Sequence, residues 1–163
     1  MKNFRILGLA IVLSLAGCAN EEVGPPMPVL PKAPPEPVCL PSKAGTQLIG
    51  QWYFVRQQKG VAGEVQTLMT LAADGKLKQQ TRVKQGRNIR SELRETGCWA
   101  FDASVLKTQV VRSNGELVDF DDPIYTIRYQ VDSVTGEKLT FRETSSGSRA
   151  MTAKKMPPGF LLN

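Results

Sequence analysis

The sequence predicts a mainly β protein, an antiparallel meander of about eight short strands behind a proline-rich tether. Three observations carry this reading. From Ile124 to Asp132, Tyr125, Ile127, Tyr129 and Val131 alternate with Thr126, Arg128, Gln130 and Asp132, the period-2 pattern of a half-buried strand. Turn-forming clusters recur along the chain, at Ala73–Lys76, Arg112–Gly115, Val134–Glu137 and Ser145–Ser148. No segment carries a 3.6-residue apolar stripe over three turns. Short strands at regular spacing close into a barrel or a sandwich.

The elements follow in order. Ile49–Gln57 is a strand with Trp52 and Phe54 on one face. Glu64–Ala72 is the second strand, and Asp74-Gly75 is a strong turn signal after it. Leu77–Val83 runs back, and Lys84–Asn88 is expected as a polar connection into Ser91–Phe101. Leu106–Val111 precedes the Asn114-Gly115 turn. Ile124–Asp132 and Leu139–Arg142 form a hairpin, and Arg149 to about Lys155 is the last strand. The apolar tail Met156–Leu162 has two readings, packed over the body or exposed as a docking peptide.

Several of these residues resemble the lipocalin-like lipoproteins. Gly50-Gln51-Trp52 is similar to the G-x-W that opens the first strand of lipocalin barrels, where the Trp plugs the closed end. Leu71–Lys76 resembles a hairpin common in bacterial lipocalin-like domains. Gly97-Cys98-Trp99 with Leu106, and Tyr125–Phe141, resemble their middle and closing elements. The likeness spans roughly residues 47–156 and implies a lipocalin-like barrel. The T-D-Y-x-x-Y element of ligand carriers is absent, and Asp122–Tyr125 is a distant echo of it. Bacterial metalloprotease inhibitors share the L-x-G-x-W opening, but their two cysteines lie inside the barrel, whereas Cys39 here precedes Trp52.

The N-terminus has its own logic. Lys2 and Arg5 precede an uncharged apolar run, Ile6–Ala16, that is too short to cross a bilayer of about 30 Å. This is the layout of a secretory signal. Leu15-Ala16-Gly17-Cys18 resembles the bacterial lipobox, which implies cleavage before Cys18 and acylation of that residue, with palmitate among the chains. Several acyl chains hold a protein firmly, at about 0.8 kcal/mol per buried CH2. Ala19 in place of Asp favours, by the same resemblance, the outer membrane facing the periplasm. The expected division is a signal peptide at 1–17, a lipidated Cys and proline-rich linker at 18–45, and the barrel domain at 46–163. Eight of the 11 prolines lie between Pro25 and Pro41, which favours an extended polyproline II spacer.

With Cys18 assigned to the lipid, Cys39 and Cys98 remain. In an oxidising compartment their simplest fate is a disulfide, and two buried or free thiols are the alternative. There is no His, which removes the commonest general base and imidazole metal ligands. Without Lys2 and Arg5 the charges are 19 basic and 15 acidic. The basic residues (Arg82, Lys84, Arg87, Arg90 and Arg94) are scattered and follow no nucleic-acid-binding motif.

Glu116, Asp119, Asp121 and Asp122 form an acidic cluster without the EF-hand pattern, and no metal is expected there. Asp121 with Glu143 is a carboxylate pair with no motif behind it. Trp52, Phe54, Trp99, Tyr125, Tyr129 and Phe141 are expected as core or as the lining of an apolar cavity. The sequence therefore predicts a non-enzymatic envelope lipoprotein that needs no cofactor. It would be held to the membrane by acyl chains on Cys18 and would bind a protein partner of an envelope assembly or secretion system. The other readings are a carrier of a small apolar ligand and an inhibitor of a protease or lysozyme.

Overall fold

A computed structural model describes residues 35–145 and 147–162. Cys18, the signal segment and most of the proline-rich tether lie outside the described residues. Nine strands form among the described residues: β1 (Gly50–Arg56), β2 (Glu64–Leu71), β3 (Lys76–Gln85), β4 (Asn88–Asp102), β5 (Val105–Ser113), β6 (Glu116–Leu117), β7 (Thr126–Val134), β8 (Lys138–Glu143) and β9 (Met151–Met156). Every pairing is antiparallel. Eight strands close a ring in the order β1-β2-β3-β4-β5-β7-β8-β9, and β9 returns to β1. The short β6 adds to the far end of β5 instead. The fold is the expected antiparallel eight-stranded barrel.

Alternation places the apolar set inside. Trp52 and Phe54 of β1 stand opposite Met69 and Thr67 of β2. With Leu71, Leu77, Trp99, Leu106, Tyr129, Val131, Leu139, Phe141 and Ala153 they form one buried cluster. Leu48 joins it from the 3-10 turn Thr46–Leu48, just before β1. The Trp52 indole N–H donates to the Leu48 carbonyl at 2.7 Å, so the buried ring is bonded as well as packed.

The connections show where local chemistry decides. Asn114-Gly115 joins β5 to β6 with both residues at positive φ, the pair best suited to such a turn. Ala103-Ser104 joins β4 to β5 at φ 45° and 68°, a backbone that neither residue favours. The expected polar connection Lys84–Asn88 is shorter than its composition implies. Lys84 pairs with Ile89 and Gln85 with Asn88, leaving only Gly86 and Arg87 between the strands. The ladder is a backbone matter, and solvated polar side chains do not oppose it. A bulge between Val83 and Lys84 leaves Arg90 without an opposite residue. The strand expected from Ile124 begins at Thr126, because Pro123–Tyr125 is a 3-10 turn. Asp122 caps that turn by accepting from the Ile124 N–H at 3.0 Å, and Pro123 fixes φ at its start.

Candidate functional site

The interior is packed with side chains. Phe141 meets both Phe54 and Tyr129 edge to face, each at 5.2 Å between ring centres. Such contacts contribute roughly 0.5–1.5 kcal/mol each beyond burial. Of the six aromatic residues expected as core or cavity, Trp52, Phe54, Trp99, Tyr129 and Phe141 are buried in the core. Tyr125 is half-buried, because the 3-10 turn takes it out of the strand alternation.

The same alternation puts polar groups on the inner face toward the β1 C-terminus. Arg56 reaches Glu143 at 3.3 Å. Gln79 Nε2 donates to Glu95 at 3.2 Å, and the Thr67 and Thr81 hydroxyls bond across β2 and β3 at 3.2 Å. Burial raises the Glu95 carboxyl above the ordinary carboxylate range, and the Gln79 bond offsets part of this. Tyr129 is raised far above an ordinary phenol, by burial first and then by the charge of Glu143. A neutral phenol, an ion pair and amide–carboxyl bonds make a supporting network. Glu143 is held by Arg56, and Asp121 lies on the exposed loop before Asp122.

The acidic cluster does not assemble. Asp122 is spent on its cap, while Glu116, Asp119 and Asp121 are exposed. Among the described residues no three His, Cys, Asp or Glu side chains come together as metal ligands do. No helix among them is long and apolar enough to cross a membrane.

Two segments are laid against the outside. Cys39 and Cys98 form a disulfide with Cα atoms 5.2 Å apart, which ties the end of the linker to β4. Leu40 then crosses the β2–β3 turn so closely that a Cβ on Gly75 would lie 2.1 Å from its carbonyl oxygen. An open groove of about 550 Å3 runs beside this segment, with Pro37, Val38, Leu77 and Val111 in its lining. At the other end of the chain, the Phe160 N–H donates to Gln51 at 3.2 Å, and its ring packs 6.2 Å from Tyr53. Leu162 is buried, so the apolar tail packs on the outer face of the barrel while Leu161 stays exposed.

One feature escapes residue-by-residue reading. Between Lys76 and Arg94 the chain has seven Lys or Arg and one Glu, a net +6 that equals the formal charge of the whole sequence. Of these, Lys84, Arg87, Arg90 and Arg94 lie where the β3–β4 hairpin projects, whereas Lys76 and Lys78 stand opposite Cys98 and Thr96 and Arg82 is buried. The outer strand of the hairpin pairs with β5 only from Glu95 onward. From Asn88 to Arg94 every residue of β4 is exposed. The density of charge was available in the sequence, but the opening of the sheet was not.

No family model matches this chain, and no curated protein matches it. Comparison with solved structures finds a candidate lipoprotein from Shewanella oneidensis, with a TM-score of 0.43 and 19% identity. The match covers 72% of this chain and 98% of that one.

Proposed function

We propose that this chain is a non-enzymatic lipoprotein of the cell envelope. In this reading an acylated Cys18 holds it, through the proline-rich tether, to the periplasmic face of an outer membrane. There the barrel binds a protein partner belonging to an envelope assembly or secretion system. The observation that carries the partner reading is the filled interior. Trp52, Phe54, Tyr129 and Phe141 occupy the space in which a carrier would hold its cargo, so recognition falls to the outer surface. The anchor rests on the Leu15–Cys18 motif and the uncharged run before it.

Two experiments test this reading. The first compares the wild type with Cys18→Ser. The wild type is expected in the membrane fraction with the added mass of acyl chains, and the variant is expected to lack both. An unmodified wild-type mass would end the lipoprotein reading. The second is in-cell crosslinking with mass spectrometry, and crosslinks to one envelope complex are the expected result. Co-purification of a stoichiometric fatty acid with the barrel would favour the carrier instead. Stoichiometric inhibition of a purified protease or lysozyme would favour the inhibitor.

A further inference from the structure

We propose that the open edge of β4, from Asn88 to Leu93, is the docking site for an acidic, extended segment of a partner protein, which adds to the barrel as an extra strand. The proposal rests on the partner-binding reading and specifies its surface.

The backbone makes the first part of the case. β4 is paired to β3 from Asn88 to Cys98 apart from the bulge at Arg90, whereas β5 stops at Ser113, opposite Glu95. One further position is sealed. The Arg94 N–H donates to Asn114 Oδ1 at 3.0 Å, and the Asn114 N–H donates to the Arg94 carbonyl at 2.7 Å. Backbone direction alternates along a strand, so the N–H and C=O of Glu92 point to the same side as those of Arg94. Among the described residues no strand covers them there. The chain instead turns away at Asn114-Gly115, and β6 pairs on the other flank of β5. What remains is a notch of about 360 Å3 lined by Glu92, Arg94, Asn114 and Gly115. An unpaired row of backbone donors and acceptors is a template for an added strand.

The side chains supply the second part. Ile89 is 50% exposed and Leu93 is 36% exposed, an apolar foothold on an otherwise polar edge. The charge around the edge is Lys84, Arg87, Arg90 and Arg94 against Glu92, a net +3 over residues 84–94, which selects against basic strands and favours acidic ones. Arginines and the bulge at Arg90 also serve to keep one copy of the chain from pairing with another. Like charges facing each other disfavour that self-pairing, and an acidic partner reverses the sign of the interaction.

The test uses the full acylated chain in detergent micelles and a synthetic octapeptide alternating Glu with Val or Thr. Hydrogen exchange should slow at β4 amides between Asn88 and Leu93 on binding, and a Lys-for-Glu version of the peptide should not bind. Glu92→Pro separates strand addition from plain charge attraction. It removes an open-side N–H while making the hairpin more basic. Strand addition predicts about tenfold weaker binding, whereas charge attraction alone predicts tighter binding and would overturn the proposal. Arg87→Glu with Arg90→Glu keeps every backbone group and should also weaken binding. Unfolding curves matching wild type qualify both variants. Binding to phosphatidylglycerol vesicles in place of the peptide would overturn the proposal in favour of a lipid surface.

In cells, a photo-crosslinker at Ile89 should capture a partner through an acidic segment. A partner captured only from Ile124, which is 72% exposed outside this edge, would overturn the docking site and leave the partner reading intact. No capture from either position would count against both.

Discussion

The two ends of β4 behave as different materials. Its C-terminal half, Glu95–Asp102, is paired to β5 throughout and to β3 as far as Cys98, carries the buried Trp99 and is stapled to the linker through Cys98. Its N-terminal half, Asn88–Arg94, is paired on one side and exposed throughout. The same strand thus passes from a fixed scaffold to an unsealed edge within a few residues. On the docking proposal, stability belongs to the first half and recognition to the second, so substitutions in the two halves should separate cleanly.

The largest effect is expected at Trp52 in the core. Trp52→Ala removes a fully buried ring and orphans the Leu48 carbonyl that its indole satisfies. The cost should reach about 5 kcal/mol, the upper end for truncating a buried aromatic side chain, measured by denaturant unfolding. A loss below about 1 kcal/mol would mean that the Trp52 ring is not part of the cooperative core. Next comes the staple. Cys39→Ala with Cys98→Ala releases a cross-link between residues 59 apart in sequence. The chain-entropy model assigns about 4 kcal/mol to such a loop. An equal loss on adding reductant to the wild type is expected, and an unchanged midpoint would overturn the role of the staple.

The contrast also explains what could be read in advance. Strand identity was legible because Tyr129 and Val131, or Trp52 and Phe54, must share a face, and the turns at Asp74-Gly75 and Asn114-Gly115 announce themselves chemically. Where local chemistry is mute, the reading failed. Lys84–Asn88 looks like a loop because solvated polar strands and loops share a composition. At Ala103-Ser104 the break between Phe101 and Leu106 was legible, and what stayed hidden is the positive φ of both residues, which the ladder on either side forces. The open β4 edge is a property of where β5 ends, and no residue in β4 encodes that.

That forced turn yields a third prediction. Ala103→Asn places a residue tolerant of positive φ at φ 45°. It should stabilise the barrel by about 0.5–1 kcal/mol, read as a shift of the urea midpoint at constant slope. A destabilised variant would mean that the turn geometry is wrong. On the exposed half, Arg87→Gln and Arg90→Gln should each change stability by no more than about 0.5 kcal/mol. A larger loss would show that the hairpin belongs to the scaffold after all.

The smallest effect lies at Glu95, where the two halves meet. Burial raises its carboxyl above the ordinary range, so the folded barrel holds this proton more tightly than the unfolded chain does. Between the ordinary carboxylate value and the raised one, the folded state binds more protons than the unfolded state. Stability attributable to Glu95 therefore falls as pH rises through that window and stays at its lower level above it. Glu95→Gln keeps an oxygen to accept from Gln79 Nε2 and has no charge to desolvate. The variant should equal or exceed wild type at neutral pH and lose this component of the slope in acid. The check is a set of urea midpoints for both proteins across the carboxylate range. A variant that is weaker at pH 7 with an unchanged slope would show that Glu95 faces solvent, and the boundary between scaffold and edge would then move down β4, toward Gly97.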